Sequence, residues 1–151
     1  MLRLVTASAI SAILLSACQP AETDSTPVLS YTDAFIMQPV AGRDMTVGGI
    51  NITSEGGDVR LTGVTSDVAG TVETHTMSME GGSMKMRPVE GFDIADGETL
   101  ELKRGGNHLM LFDVSPDITP GDTANLTLNF ETSDGETLTL EAEADIRALG
   151  E

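Results

Sequence analysis

The sequence predicts one all-β domain, built as a Greek-key sandwich or a small barrel. Three observations carry that expectation. Five segments alternate apolar and polar residues, the period of a half-buried strand. Gly-Gly, Asp-Gly and Pro-Gly-Asp turn signals separate them at short intervals. No long segment shows a helical period, and 151 residues suit one domain rather than two.

In chain order, the first element is not part of the domain. MLRLVTASAISAILLSAC has one basic residue, Arg3, then an apolar run of about a dozen residues, then small residues, the layout of a secretory signal peptide. That run is too short to be a spanning helix. Leu15-Ser16-Ala17-Cys18 resembles the bacterial lipobox, which implies that residues 1–17 are removed and that Cys18 is lipidated. Cys18 is the one cysteine, so the mature domain is expected to lack an internal disulfide. Gln19 follows it, and by resemblance to Gram-negative lipoproteins this favours the outer membrane slightly over the inner. The cysteine and the Pro-, Ser-, Thr- and acid-rich residues after it form an expected flexible tether over 18–30.

The β domain is then expected over 31–151. DVRLTGV (58–64), ETLELK (98–103), HLMLFDV (108–114), ANLTLNF (124–130) and ETLTLEAEAD (136–145) carry the strand period. Gly pairs at 56–57, 81–82 and 105–106 and Asp-Gly pairs at 96–97 and 134–135 mark the turns. Aromatic residues make up only 3% and Trp is absent, so the core must be aliphatic. The net charge of -16, from 24 acidic and 8 basic side chains, excludes a nucleic-acid binder, because phosphate backbones need a basic footprint. The same excess reads as a solvated surface that mildly attracts cations or basic protein faces. Asp93, Asp96 and Glu98 fall together in one turn without a defensible metal geometry.

Chemistry concentrates in HTMSMEGGSMKM, residues 75–86, and in NHLM, residues 107–110. Both histidines of the chain, His75 and His108, have a methionine two places on. Residues i and i+2 of a strand share a face, so His75 projects with Met77 and His108 with Met110. A turn at Gly81-Gly82 brings Met86 back beside the strand of His75. Two imidazoles and two or three thioethers then meet at one end of the fold. Thioether sulfur is soft and favours Cu(I). Zinc sites prefer thiolates, and calcium and magnesium want oxygen cages. Thioethers bind without losing a proton, so acid weakens such a site only through its histidines.

Ten residues separate His75 from Met86, twenty-one separate Met86 from His108, and one separates His108 from Met110. This spacing, H-x10-M-x21-H-x-M, resembles the signature of the PCuAC family of periplasmic Cu(I) chaperones. The resemblance extends over about residues 33–145, from DAFIMQPVAGRDMTVGG to the closing PGDTANLTLNFETSDGETLTLEAEA. It implies a cupredoxin-like β-barrel that holds Cu(I) through His75, Met86, His108 and Met110. It also implies delivery to the CuA subunit of cytochrome c oxidase, alone or with a Sco-type thioredoxin-like chaperone. Thr46-Val47-Gly48-Gly49-Ile50 stands where the family usually has a small or aromatic cluster after the first loop. The chain ends ADIRALGE, without the His/Met-rich tail of many members, so one copper per domain is expected.

Met77, Met79 and Met84 are candidate accessory ligands: Met77 as a shielding lip, Met79 and Met84 as exposed residues that help capture or hand over copper. Met37 and Met45 read as packing or loop residues. The expected function is carriage on the periplasmic side of the envelope, not catalysis, since a fully ligated Cu(I) offers no open position. The alternatives are copper sequestration for tolerance and a metal-free envelope domain that binds protein or polysaccharide.

Overall fold

The computed structural model describes residues 26–150. The expected signal peptide, Cys18 and the first part of the expected tether lie outside the described residues. Ten strands follow in order: β1 Val28–Met37, β2 Met45–Glu55, β3 Val59–Ser66, β4 Ala69–Glu80, β5 Ser83–Val89, β6 Phe92–Ile94, β7 Thr99–Leu102, β8 His108–Val114, β9 Thr123–Thr132 and β10 Thr137–Arg147. There is no helix among the described residues. The five alternating segments are β3, β7, β8, β9 and β10. The strands begin three residues earlier than expected, because Val28–Ser30 pair with Thr53–Glu55 and so belong to the sheet, not to a tether.

The hydrogen-bonded path β4-β8-β2-β1-β10-β9-β3 returns to β4 through Val64 opposite Val72 and Ser66 opposite Ala69. Seven strands therefore close a barrel, which removes the exposed edges a sandwich would leave. β1 and β10 pair in parallel, and the other neighbours are antiparallel. β5, β6 and β7 lie outside the ring, paired to β4, β3 and β2. The class is all-β and cupredoxin-like, closed as a barrel.

The inside is aliphatic, as the composition requires. Ile36, Ile50, Ile52, Leu61, Leu109, Leu111, Leu126 and Leu128 are fully buried, with Phe130 the one aromatic among them. Each such side chain contributes roughly 1.5–3 kcal/mol by leaving water. Thr46–Ile50 lies in the first half of β2. A Cβ on Gly49 would lie 2.2 Å from the Leu102 carbonyl oxygen and 2.6 Å from the Phe35 ring. The glycine lets two chain segments and an aromatic ring close on one point.

One feature of β4 places the site. Its first half pairs with β8 and, in part, β3; its last half runs on past the end of β8 and pairs with β5. Gly81 and Gly82 join β4 to β5 with φ of 58° and 82°. Two successive positive φ values are the signature of a type I′ turn, whose twist suits a tight hairpin. The hairpin thus stands beyond the barrel wall.

Candidate metal centre

Strand parity sorts β4 and β8 into two faces. Val72 lies opposite Leu111 and Thr74 opposite Leu109, and Leu109 and Leu111 belong to the barrel core. The alternate residues therefore face outward: Glu73 opposite Met110 and His75 opposite His108. Along β5 the same face continues with Met86 opposite Met77 and Met84 opposite Met79. The seven candidate copper ligands all fall on this one outer surface, near the end of the barrel wall and not inside it.

Although they face away from the core, both imidazoles are buried, His75 at 6% and His108 at 4% exposure. Their ring centroids are 5.7 Å apart. The hydrogen bonds decide which nitrogens are bare. His108 Nδ1 lies 2.8 Å from the Gly106 carbonyl oxygen, which can only accept, so Nδ1 carries the proton. In the neutral ring Nε2 then holds a lone pair, and it sits 3.1 Å from Met86 Sδ. Neither atom of that contact has a proton to give, so it is an approach of two electron-pair donors, not a hydrogen bond. His75 Nε2 donates to Glu73 Oε2 at 2.8 Å. Its Nδ1 is buried and has no partner, the one such side-chain nitrogen or oxygen among the described residues. A buried polar atom left unpaired costs about 1–3 kcal/mol, and a metal ion would satisfy it.

One bare nitrogen thus meets a thioether, and a second stands on an imidazole whose centroid is 5.7 Å away, each ring oriented by a partner on its other nitrogen. A carboxylate or carbonyl that takes the other ring proton is the usual support of a ligating imidazole. Met110 lies on the same face, half-buried, one pair along from His108 and on the side away from Met86. Among the described residues no three His, Cys, Asp or Glu side chains form a metal-binding group. The donors that stand beside the two imidazoles on this face are methionine sulfurs, which suit a soft monovalent ion. The acidic turn is structural: Asp93 pairs with Arg60 at 2.6 Å and Asp96 Oδ1 accepts the Gly56 N–H.

The model of the family described as "Putative lipoprotein LpqE-like" matches residues 29–144. The chain belongs to the LpqE-like family. This LpqE-like chain is 29% identical over 145 residues to "Putative lipoprotein Lxx21020" of Leifsonia xyli subsp. xyli, across 89% of the chain and 86% of the relative. Its fold is similar to the copper-bound PCuAC domain of PmoF2, with a TM-score of 0.63 and 20% identity over 80% of the chain and 92% of that domain. The Cu(I) form of DR1885 from Deinococcus radiodurans is similar at a TM-score of 0.58 and 27% identity, over 89% of the chain and 88% of that protein. The PCuAC resemblance read from the spacing therefore holds.

Of the accessory candidates in the LpqE-like chain, Met77 is half-buried and lies opposite Met86, while Met79 and Met84 are exposed. Met37 is core, at 2% exposure, and Met45 opens β2 opposite Phe112. Sequence reasoning missed Glu73 and the Gly106 carbonyl. Glu73 was within reach, since it shares the i, i+2 parity of His75 and Met77. The carbonyl had no signal, because backbone geometry at Gly105-Gly106 is invisible in side-chain patterns.

Proposed function

We propose that the chain binds one Cu(I) through His75 Nδ1, His108 Nε2, Met86 Sδ and Met110 Sδ, and carries it in the cell envelope. The observation that carries this reading is the pair of proton-free imidazole nitrogens, one orphaned and buried, the other at a thioether sulfur. The copper-bound titles of two fold relatives support the choice of ion. The lipoprotein names of the family and of the curated relative support attachment to the envelope through Cys18, and the periplasmic side is what the PCuAC resemblance adds.

The chemistry is carriage. Four neutral ligands leave the ion its single positive charge and require no deprotonation. A thiolate-rich acceptor holds Cu(I) more tightly than thioethers do, so ligand exchange runs downhill towards it. The PCuAC resemblance points to the CuA subunit of cytochrome c oxidase as that acceptor, reached directly or through a Sco-type chaperone. Met86, at 48% exposure, is the ligand an incoming thiolate reaches first.

The test is anaerobic Cu(I) titration of the full-length chain against a chromogenic chelator, beside a variant carrying His108→Ala and Met110→Ala. One copper per chain retained against the chelator by the wild type, and lost to it by the variant, is the expected result. Equal loss from both proteins would refute the site.

A further inference from the structure

We propose that the methionine face of the β4–β5 hairpin is a second, exchange-labile Cu(I) site, made by Met79 and Met84. It passes the ion inward across the Met77–Met86 pair, and it rests on the copper reading of the inner site.

The hairpin beyond the barrel has two unlike faces. Thr76, Ser78, Glu80, Lys85 and Arg87 share one, and Arg87 and Glu80 are joined there at 2.7 Å. Every residue of the other, from position 77 to the turn and back to 86, is methionine: Met77 opposite Met86, then Met79 opposite Met84. Packing does not account for that. Met79 is 67% exposed, Met84 49% and Met86 48%, so these side chains fill no core. Holding a hairpin together calls for β-branched or aromatic cross-strand pairs instead. What four thioethers on one face share is affinity for a soft monovalent cation.

Geometry suits the outer pair to a two-coordinate clamp. Directly opposite residues of an antiparallel pair have Cβ atoms about 4.5–5.5 Å apart, and methionine adds three rotatable bonds. Two sulfurs can therefore close on one ion without moving the backbone. Successive pairs on this face lie about 7 Å apart along the strands, within reach of ligand-by-ligand exchange. Met86 belongs to both ends of the path. It is the cross-strand partner of Met77, and its sulfur already touches His108 Nε2. Two thioethers alone hold copper loosely, while the inner site adds two imidazoles. Transfer from tip to inner site therefore runs downhill, and no electron or proton moves with the ion.

The test uses the full-length chain with 13C-labelled methionine methyls, titrated with Ag(I), a redox-inert soft monovalent ion. The first equivalent is expected to shift Met86 and Met110, and the second to shift Met79 and Met84 in fast exchange. In a Met79→Leu, Met84→Leu variant the first event persists and the second disappears. Uptake of Cu(I) from a bicinchoninate complex slows about tenfold, a rise of about 1.4 kcal/mol in the barrier. Both positions are exposed and leucine keeps their volume, so the thermal midpoint should not move. A variant that takes up Cu(I) at the wild-type rate overturns the outer site and leaves the inner one standing. Met79 and Met84 shifting with the first equivalent, with no second event, merges them into a single centre and also overturns it. No Ag(I)-induced shift at Met86 or Met110 in the wild type overturns the inner site and the path together.

Discussion

Strand β8 carries two molecules' worth of chemistry on its two sides. Leu109 and Leu111 point inward and are fully buried in an aliphatic core. His108 and Met110, the residues between and beside them, point outward into a polar and thioether surface. β4 repeats the division, with Val72 and Thr74 inward and Glu73, His75 and Met77 outward. The difference teaches that stability and the proposed metal chemistry are separated by parity alone. A residue's place in the count of two decides whether its loss unfolds the barrel or empties the site.

The largest break in that comparison is expected from the inner side. Leu111→Ala should cost about 2–5 kcal/mol, measured by denaturant unfolding, because it leaves a cavity in a filled core. The protein that remains folded should still bind copper with wild-type affinity. A weakened copper site in the folded fraction would show that the two faces are coupled.

On the outer side, His75→Leu removes the unpartnered Nδ1 together with the Nε2–H that Glu73 accepts. Unfolding free energy should stay within about 1 kcal/mol of wild type, since loss of the hydrogen bond to a half-exposed carboxylate is offset by relief of the unsatisfied nitrogen. Cu(I) retention should fall by more than the about 10–100-fold that follows loss of a residue which only orients a ligand. Unchanged retention would remove His75 from the ligand set.

Glu73→Gln sharpens the comparison further. The carboxylate holds the Nε2 proton of His75 and so leaves Nδ1 free. An amide holds it less firmly, so Cu(I) affinity should fall about tenfold in chelator competition, with unfolding unchanged. Affinity equal to wild type would reduce Glu73 to a surface acid. The smallest effect is expected from Arg87→Ala, on the polar side of the hairpin. Its ion pair with Glu80 is largely exposed, so stability should change by about 1 kcal/mol at most and copper binding not at all.

The strands whose alternation is unbroken were legible. β8 runs from His108 to Val114 as its pattern predicts, and β9 and β10 follow theirs. β1 was not, and the reason is local. Asp33 adopts φ of 52° at a bulge where the register with β2 shifts between Thr32 and Phe35. Past that bulge Ala34, Phe35, Ile36 and Met37 are all buried, so the period of two disappears. β2 is masked by Gly48-Gly49, which interrupts the alternation with two residues that have no side chain, and which serves close packing against Phe35 and Leu102.

By itself the sequence determined the β class, the hairpin turn at Gly81-Gly82, the parity that groups histidine with methionine, and the softness of the ion. Each of these depends on residues close in the chain or on donor chemistry alone. Only the tertiary structure decided that β4 and β8 are neighbours in a register that sets His75 opposite His108, thirty-three positions apart. It also decided that the rings face outward yet stay buried, and which nitrogen of each is bare. Those outcomes depend on strand pairing across the barrel and on a backbone carbonyl, and neither leaves a mark in local sequence.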